Sequence, residues 1–186
     1  MVRFHRSIVI RADADRVFAL VTDVARKARL NPGAEAIRVE QETPGPVGAG
    51  TAFRFVLRHG GRVIDYRSRC VAFEAVRATE TVSDTDPPFS VRVSVEPTPG
   101  GTRLTQEEWF DTNPPRPPRV ERKGLVGLLT DLAASILGDT DARPRQVTRA
   151  HEAQVEAQLG AQLHEWLEAI KAHLEGDQSR NSSGPG

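Results

Sequence analysis

One strand, two short helices, six further strands and one long helix, in that order, predict an α+β chain: a curved seven-stranded antiparallel sheet wrapped around its C-terminal helix. Two observations carry this reading. Between residues 36 and 110 the apolar residues recur with period two, in segments joined by short Gly- and Pro-rich turns, which is the signature of an antiparallel meander. The closing segment places apolar residues three and four apart over about 28 residues, roughly 42 Å of helix, enough to cross a whole sheet.

The first strand is Phe4–Arg11, β-branched and apolar, and Ala12-Asp13-Ala14-Asp15 follows it directly. Asp13 is the expected N-cap of a helix over Ala14–Val21, whose apolar face is Val17, Phe18, Leu20 and Val21. Thr22 and Asp23 cap a second short helix that stops at the breaker cluster Leu30-Asn31-Pro32-Gly33. Strands are then expected at Ala36–Gln41, Thr51–Arg58, Arg62–Phe73, Ala75–Ser83, Phe89–Glu96 and Thr102–Phe110, with tight turns at His59-Gly60-Gly61 and Pro99-Gly100-Gly101. The prolines of Asp111–Arg119 exclude helix and central strand and make a stiff connector. Beyond it, Gly124–Leu137 is apolar on more than one side and reads as a lid, as a contact in a homodimer, or as plain packing. The last helix is expected over Gln146–Leu174, with the stripe Val155, Leu159, Leu163, Trp166, Ile170 and Leu174. Residues 1–176 thus form one domain, including the connector and lid-like helix over 111–145, and the polar tail 177–186 is expected to be disordered.

At 186 residues the chain holds one well-buried core. Its acids and bases are interleaved and its formal charge is zero, so no basic stripe tracks a phosphate backbone and nucleic acid is not an expected partner. No apolar run approaches the roughly 20 residues that span a bilayer, and the N-terminus lacks the apolar stretch of a signal peptide, so a cytoplasmic location is expected. The lone Cys70 excludes an internal disulfide, and the scattered histidines offer no ligand pair at i, i+4. No P-loop or dinucleotide fingerprint is present. No metal and no cofactor is therefore expected.

The order of elements, with the opening SIVIRADADRVFALVTDVARKARLNP, resembles the START-like superfamily, also called SRPBCC or the polyketide cyclase/dehydrase and lipid-transport superfamily. The matching features are the strand Ser7–Ile10, the turn Ala12–Ala14, the Val17-Phe18 pair, Asp23, Asn31-Pro32, the hairpin Gly100–Thr105 and the closing amphipathic helix. The resemblance spans about residues 3 to 175 and implies a helix-grip fold. Its cleft between sheet and helix would hold a lipid, sterol, hormone or polyketide.

Val63–Val71 (VIDYRSRCV) resembles a pocket strand of the aromatic polyketide cyclases, where a Ser and an Arg two residues apart point inward. Ser68 stands at the Ser position; Cys70 stands where those proteins have Arg, and Arg69 is one step off, on the opposite face. Parity puts Tyr66, Ser68 and Cys70 on the face of Ile64, and Gln106, Glu108 and Phe110 on the face of Leu104. The expected cavity lining is therefore Phe55, Tyr66, Ser68, Cys70, Gln106 and Trp166. Glu108, with Tyr66 and Ser68 as partners, is the candidate acid or base, because burial raises a carboxyl pKa. Three functions follow: a binding protein for a small hydrophobic molecule; a polyketide cyclase, aromatase or dehydratase that works by positioning and proton transfer without cofactor; and a protein that docks through Gly124–Leu137. Paired polar groups in the pocket favour the second, and a uniformly apolar pocket the first.

Overall fold

The computed structural model describes residues 1–85, 87–110 and 149–181, the last carrying no description of the side chains of 149–151 and 178–181. The elements are β1 (Val2–Ile10), α1 (Ala14–Thr22), α2 (Val24–Arg29), β2 (Glu35–Gln41), β3 (Ala52–His59), β4 (Arg62–Glu74), β5 (Ala78–Ser83), β6 (Phe89–Thr98), β7 (Gly101–Phe110) and α3 (Arg149–Asn181). The strands make one sheet in the order β1-β7-β6-β5-β4-β3-β2, antiparallel at every step. This is the helix-grip arrangement the sequence predicts. The connector 111–145, the segment Gly124–Leu137 and residues 182–186 lie outside the described residues.

Local chemistry explains the turns. Gly60 and Gly61 both have positive φ, 55° and 78°, the two-residue hairpin whose twist matches its flanking strands. Asp23 caps α2 by accepting a hydrogen bond from the Arg26 amide at 3.0 Å. Asp13 holds the N-cap position of α1 in extended conformation but makes no side-chain cap bond. Strand β5 starts at Ala78, not Ala75: residues 75–77 form a turn, with Val76 at φ 58° and the Arg77 amide bonded to the Glu74 carbonyl.

The core gathers on one side of the concave face. Phe4, Ile8 and Ile10 of β1, Val93 and Val95 of β6 and Leu104 of β7 pack against Val17, Phe18, Leu20 and Val21 of α1 and against Leu163, Leu167, Ile170 and Leu174 of α3. Leu167, fully buried, joins the expected stripe. Helix α3 runs on to Asn181, past the expected end at Leu174, so residues 177–181 are helical and not a disordered tail. Gly176 in a helix interior costs only about 1 kcal/mol relative to Ala. Side-chain anchors offset it: the Arg11 amide donates to Glu175 at 2.9 Å, and Arg26 lies 3.5 Å from Asp177. Among the described residues no helix is long and apolar enough to cross a membrane.

Candidate functional site

The concave face of β3 to β7 is not closed by the helices. Between it, α2 and α3 lies a cavity of about 270 Å³. Alternation along each strand supplies its wall: Phe53, Phe55 and Leu57 from β3, Ile64, Tyr66 and Ser68 from β4, Phe89, Val91 and Val93 from β6, and Gln106, Glu108 and Phe110 from β7. Helix α2 contributes Lys27 and Ala28, and α3 contributes Leu159, Gln162, Leu163 and Trp166.

One polar chain crosses this mainly apolar wall. The Lys27 ammonium donates to Gln106 Oε1 at 2.7 Å, and Gln106 Nε2 donates to Glu108 Oε1 at 2.5 Å. Lys27 and Gln106 are buried, at 8% and 1% exposure, and Glu108 is half-buried with a face on the cavity. Burial pushes the Glu108 carboxyl above its ordinary range, against the Gln106 hydrogen bond and the charge of Lys27. Burial likewise pushes the Lys27 amine down to about 8, against the charge of Glu108. The two groups thus move toward each other across one amide. Such convergence sets a proton donor and a proton acceptor side by side in one wall.

Aromatic packing fixes Tyr66 beside this chain. Its ring stacks on Phe55 (centroids 5.0 Å apart, 6° between planes) and meets Phe89 edge-on at 5.4 Å. Burial and the Glu108 charge both hold its hydroxyl in the neutral form. Among the described residues no hydrogen bond reaches that hydroxyl, which leaves it available to a bound molecule. Trp166 serves the other end: its indole N–H donates to the Lys27 carbonyl at 3.1 Å, and its ring lies 4.8 Å from the Lys27 nitrogen. It pins the last turn of α2 to α3 and gives the Lys27 charge a π-face.

Of the residues expected on the wall, Phe55, Tyr66, Ser68, Gln106, Glu108 and Trp166 lie there together. Cys70 does not. It points to the inner face at 1% exposure but beyond the cavity, with its sulfur 3.3 Å from the Ala72 carbonyl oxygen and 3.5 Å from Thr79 Oγ1. Parity fixes a face, not a depth, and a register shift between Cys70 and Ala72 marks where β4 leaves the cavity. The Ser68 hydroxyl is directed at the Val82 carbonyl, 3.4 Å away, which ties it to the sheet more than to the cavity. Arg67 and Arg69 face outward, Arg67 on Glu42 and Arg69 on the Gly50 carbonyl. Lys27 was not expected. Its signal was the spacing Val24, Lys27, Ala28, Asn31, which puts a lysine in the middle of the inward face of a short helix; all four line the cavity. Among the described residues no group of three or more His, Cys, Asp or Glu side chains is placed to share a metal ion.

The family model for polyketide cyclase / dehydrase and lipid transport matches residues 1–143. The chain belongs to this polyketide cyclase / dehydrase and lipid transport family. Similar solved structures carry the same fold at low identity. The di-domain ARO/CYC StfQ from the steffimycin biosynthetic pathway is 16% identical, with TM-score 0.67 over 96% of this chain and 52% of that one. The di-domain ARO/CYC BexL from the BE-7585A biosynthetic pathway is 22% identical, with TM-score 0.63 over 93% of this chain and 50% of that one. The chain therefore spans about half the length of each of these di-domain proteins. A Chromobacterium violaceum protein is 11% identical, with TM-score 0.59, over 94% of this chain and 99% of that one. No curated protein matches. Within the polyketide cyclase / dehydrase and lipid transport fold, then, this chain places the hydrogen-bonded chain Lys27–Gln106–Glu108 on the cavity wall, with Tyr66 lining the same cavity.

Proposed function

We propose that the cavity takes an apolar small molecule bearing ketone or enol oxygens and that Glu108 exchanges a proton with it, in a cyclase- or dehydratase-type reaction that needs no cofactor. The observation that carries this is the buried chain Lys27–Gln106–Glu108 in a wall that is otherwise mainly apolar. A pure solvent for grease has no use for it, and burying it costs free energy. In an aldol closure the ionised carboxylate takes a proton from the carbon between two carbonyls. The resulting enolate attacks a second carbonyl, and the carboxyl returns the proton to the new alkoxide; loss of water then follows. The Tyr66 hydroxyl donates to a ketone oxygen. The apolar walls fold the substrate, and positioning of that kind lowers the barrier to ring closure.

The mainly apolar lining, and Cys70 where aromatic cyclases have Arg, favour a second reading: a carrier that binds without reacting. Glu108→Gln separates the two, because it keeps shape and removes the titrating group. With an apolar poly-β-ketone as probe, we expect the cyclised product to disappear while affinity changes by less than about threefold. Unchanged product profiles would leave the carrier in front. Loss of binding to wild-type protein would remove both.

A further inference from the structure

Lys27 has a second capacity that proton exchange at Glu108 does not use. The lysines of this sequence are Lys27, Lys123 and Lys171. The Lys171 nitrogen is engaged by the Val9 carbonyl at 2.8 Å and by Glu175 at 3.7 Å on the surface, and Lys123 lies outside the described residues. Lys27 instead lines the cavity, its buried nitrogen 2.7 Å from Gln106 Oε1 and 4.8 Å from the centre of the Trp166 ring. We infer that Lys27 is a covalent carbonyl-capturing amine: a ketone or aldehyde that enters the cavity condenses with its nitrogen to an imine.

The step balances within the site. A neutral Lys27 donates one N–H to Gln106 and keeps its lone pair, which attacks the carbonyl carbon to give a carbinolamine. The protonated Glu108 carboxyl, across Gln106, protonates the hydroxyl; water leaves, and the C=N bond forms. The iminium so produced keeps an N–H that donates to Gln106 Oε1. Its charge sits over the Trp166 ring, where the ammonium charge sat before. Burial also keeps a useful fraction of the amine neutral, its pKa being pushed down to about 8. Among the described residues the other titratable groups that line the same cavity are Glu108 of β7, Tyr66 of β4 and His59 at the end of β3. An imine turns the adjacent carbon into an enamine nucleophile, so the inference rests on the carbonyl-ligand reading and specifies how a ketone is activated there.

Benzoylacetone tests it on the full chain. This apolar β-diketone condenses with an amine to a conjugated enaminone with loss of one water and needs no reductant. We expect one adduct per chain, of probe mass less water, mapped by peptide mass spectrometry to Lys27 and absent in Lys27→Arg and Lys27→Met. At pH 8 about half of a pKa-8 amine is neutral against about one in 300 of an ordinary lysine, so capture should outrun that of a blocked free lysine by roughly 100-fold. Glu108→Gln should slow dehydration. An adduct confined to Lys123, Lys171 or the N-terminus overturns the inference. So does the absence of any adduct while benzoylacetone displaces an apolar fluorophore from the cavity, and in that case the binding reading survives. Neither adduct nor displacement overturns both. Mapping on wild-type protein does not depend on the variants folding.

Discussion

The two halves of the concave face obey opposite rules. Under β1, β7 and the end of β6, helices α1 and α3 close on the sheet and fill it with Ile10, Leu104, Val17, Leu167 and Ile170. Across β3, β4 and β5 the same alternation turns apolar side chains inward; α1 reaches them only at Phe73, through Phe18, and among the described residues the space against Phe53, Phe55, Ile64 and Tyr66 stays open. Strand β7 crosses both regions. Leu104 lies in the closed half with no exposure; two and four residues on, Gln106 and Glu108 carry the polar chain at the edge of the open half. A buried strand face thus does two jobs. Where a partner surface exists it contributes stability, and where none exists it can hold chemistry that costs stability.

The largest expected effect tests the closed half. Leu167→Ala should destabilise by about 2–5 kcal/mol, because a fully buried leucine leaves a void that its neighbours fill incompletely. Ile64→Ala, which only enlarges a space already present, should fall at or below the bottom of that range. Equal losses by denaturant unfolding would break the contrast.

The cost of the open half shows next, in its pH dependence. Lys27 titrates near 8 in the folded chain and near 10.5 when unfolded, so the unfolded state binds more protons between those values. Stability should therefore rise with pH through that window, by on the order of 3 kcal/mol, and the rise should vanish in Lys27→Met. Glu108 works the other way at lower pH. Its raised carboxyl favours the protonated folded state, and that contribution is lost as pH climbs from the ordinary carboxyl range through its folded value. A flat difference between wild type and Lys27→Met from pH 7.5 to 10.5 would show that the amine is not desolvated.

The smallest effect is Tyr66→Phe. The stack on Phe55 and the edge contact with Phe89 persist, so fold stability should hardly move. Affinity for a ketone-bearing ligand should fall by about 0.5–1.5 kcal/mol, one lost hydrogen bond, while an all-hydrocarbon ligand should not notice. Calorimetry with both ligands decides.

Period-two alternation made the sheet readable, since a strand with one buried face must repeat every second residue. That is why Tyr66, Ser68, Gln106 and Glu108 could be placed on one wall from the chain alone. Alternation is blind to position along the strand, so it cannot show that β4 has left the cavity by Cys70. Lys27 was hidden for a different reason. Six residues of helix give too little periodicity to announce an inward face, and lysine is almost never fully buried. The end of α3 is not legible in the sequence because it depends on distant partners: Arg11 and Arg26 hold Glu175 and Asp177 from positions more than 140 residues earlier.

The pairing of β1 with β7 also has a consequence in time. Ile10 pairs with Thr102, and Val2 with Phe110. On a ribosome adding roughly 5–20 residues per second, β1 emerges about 5–20 seconds before its sheet neighbour β7 exists. The β2-to-β7 meander can zip hairpin by hairpin as it appears, but Val2–Ile10 cannot. Closing a loop of about ninety residues is then a late step, and the helix that covers β1 is later still. Nascent chains halted after β6 should accordingly leave β1 open to protease, with protection arriving only once β7 and α3 have emerged.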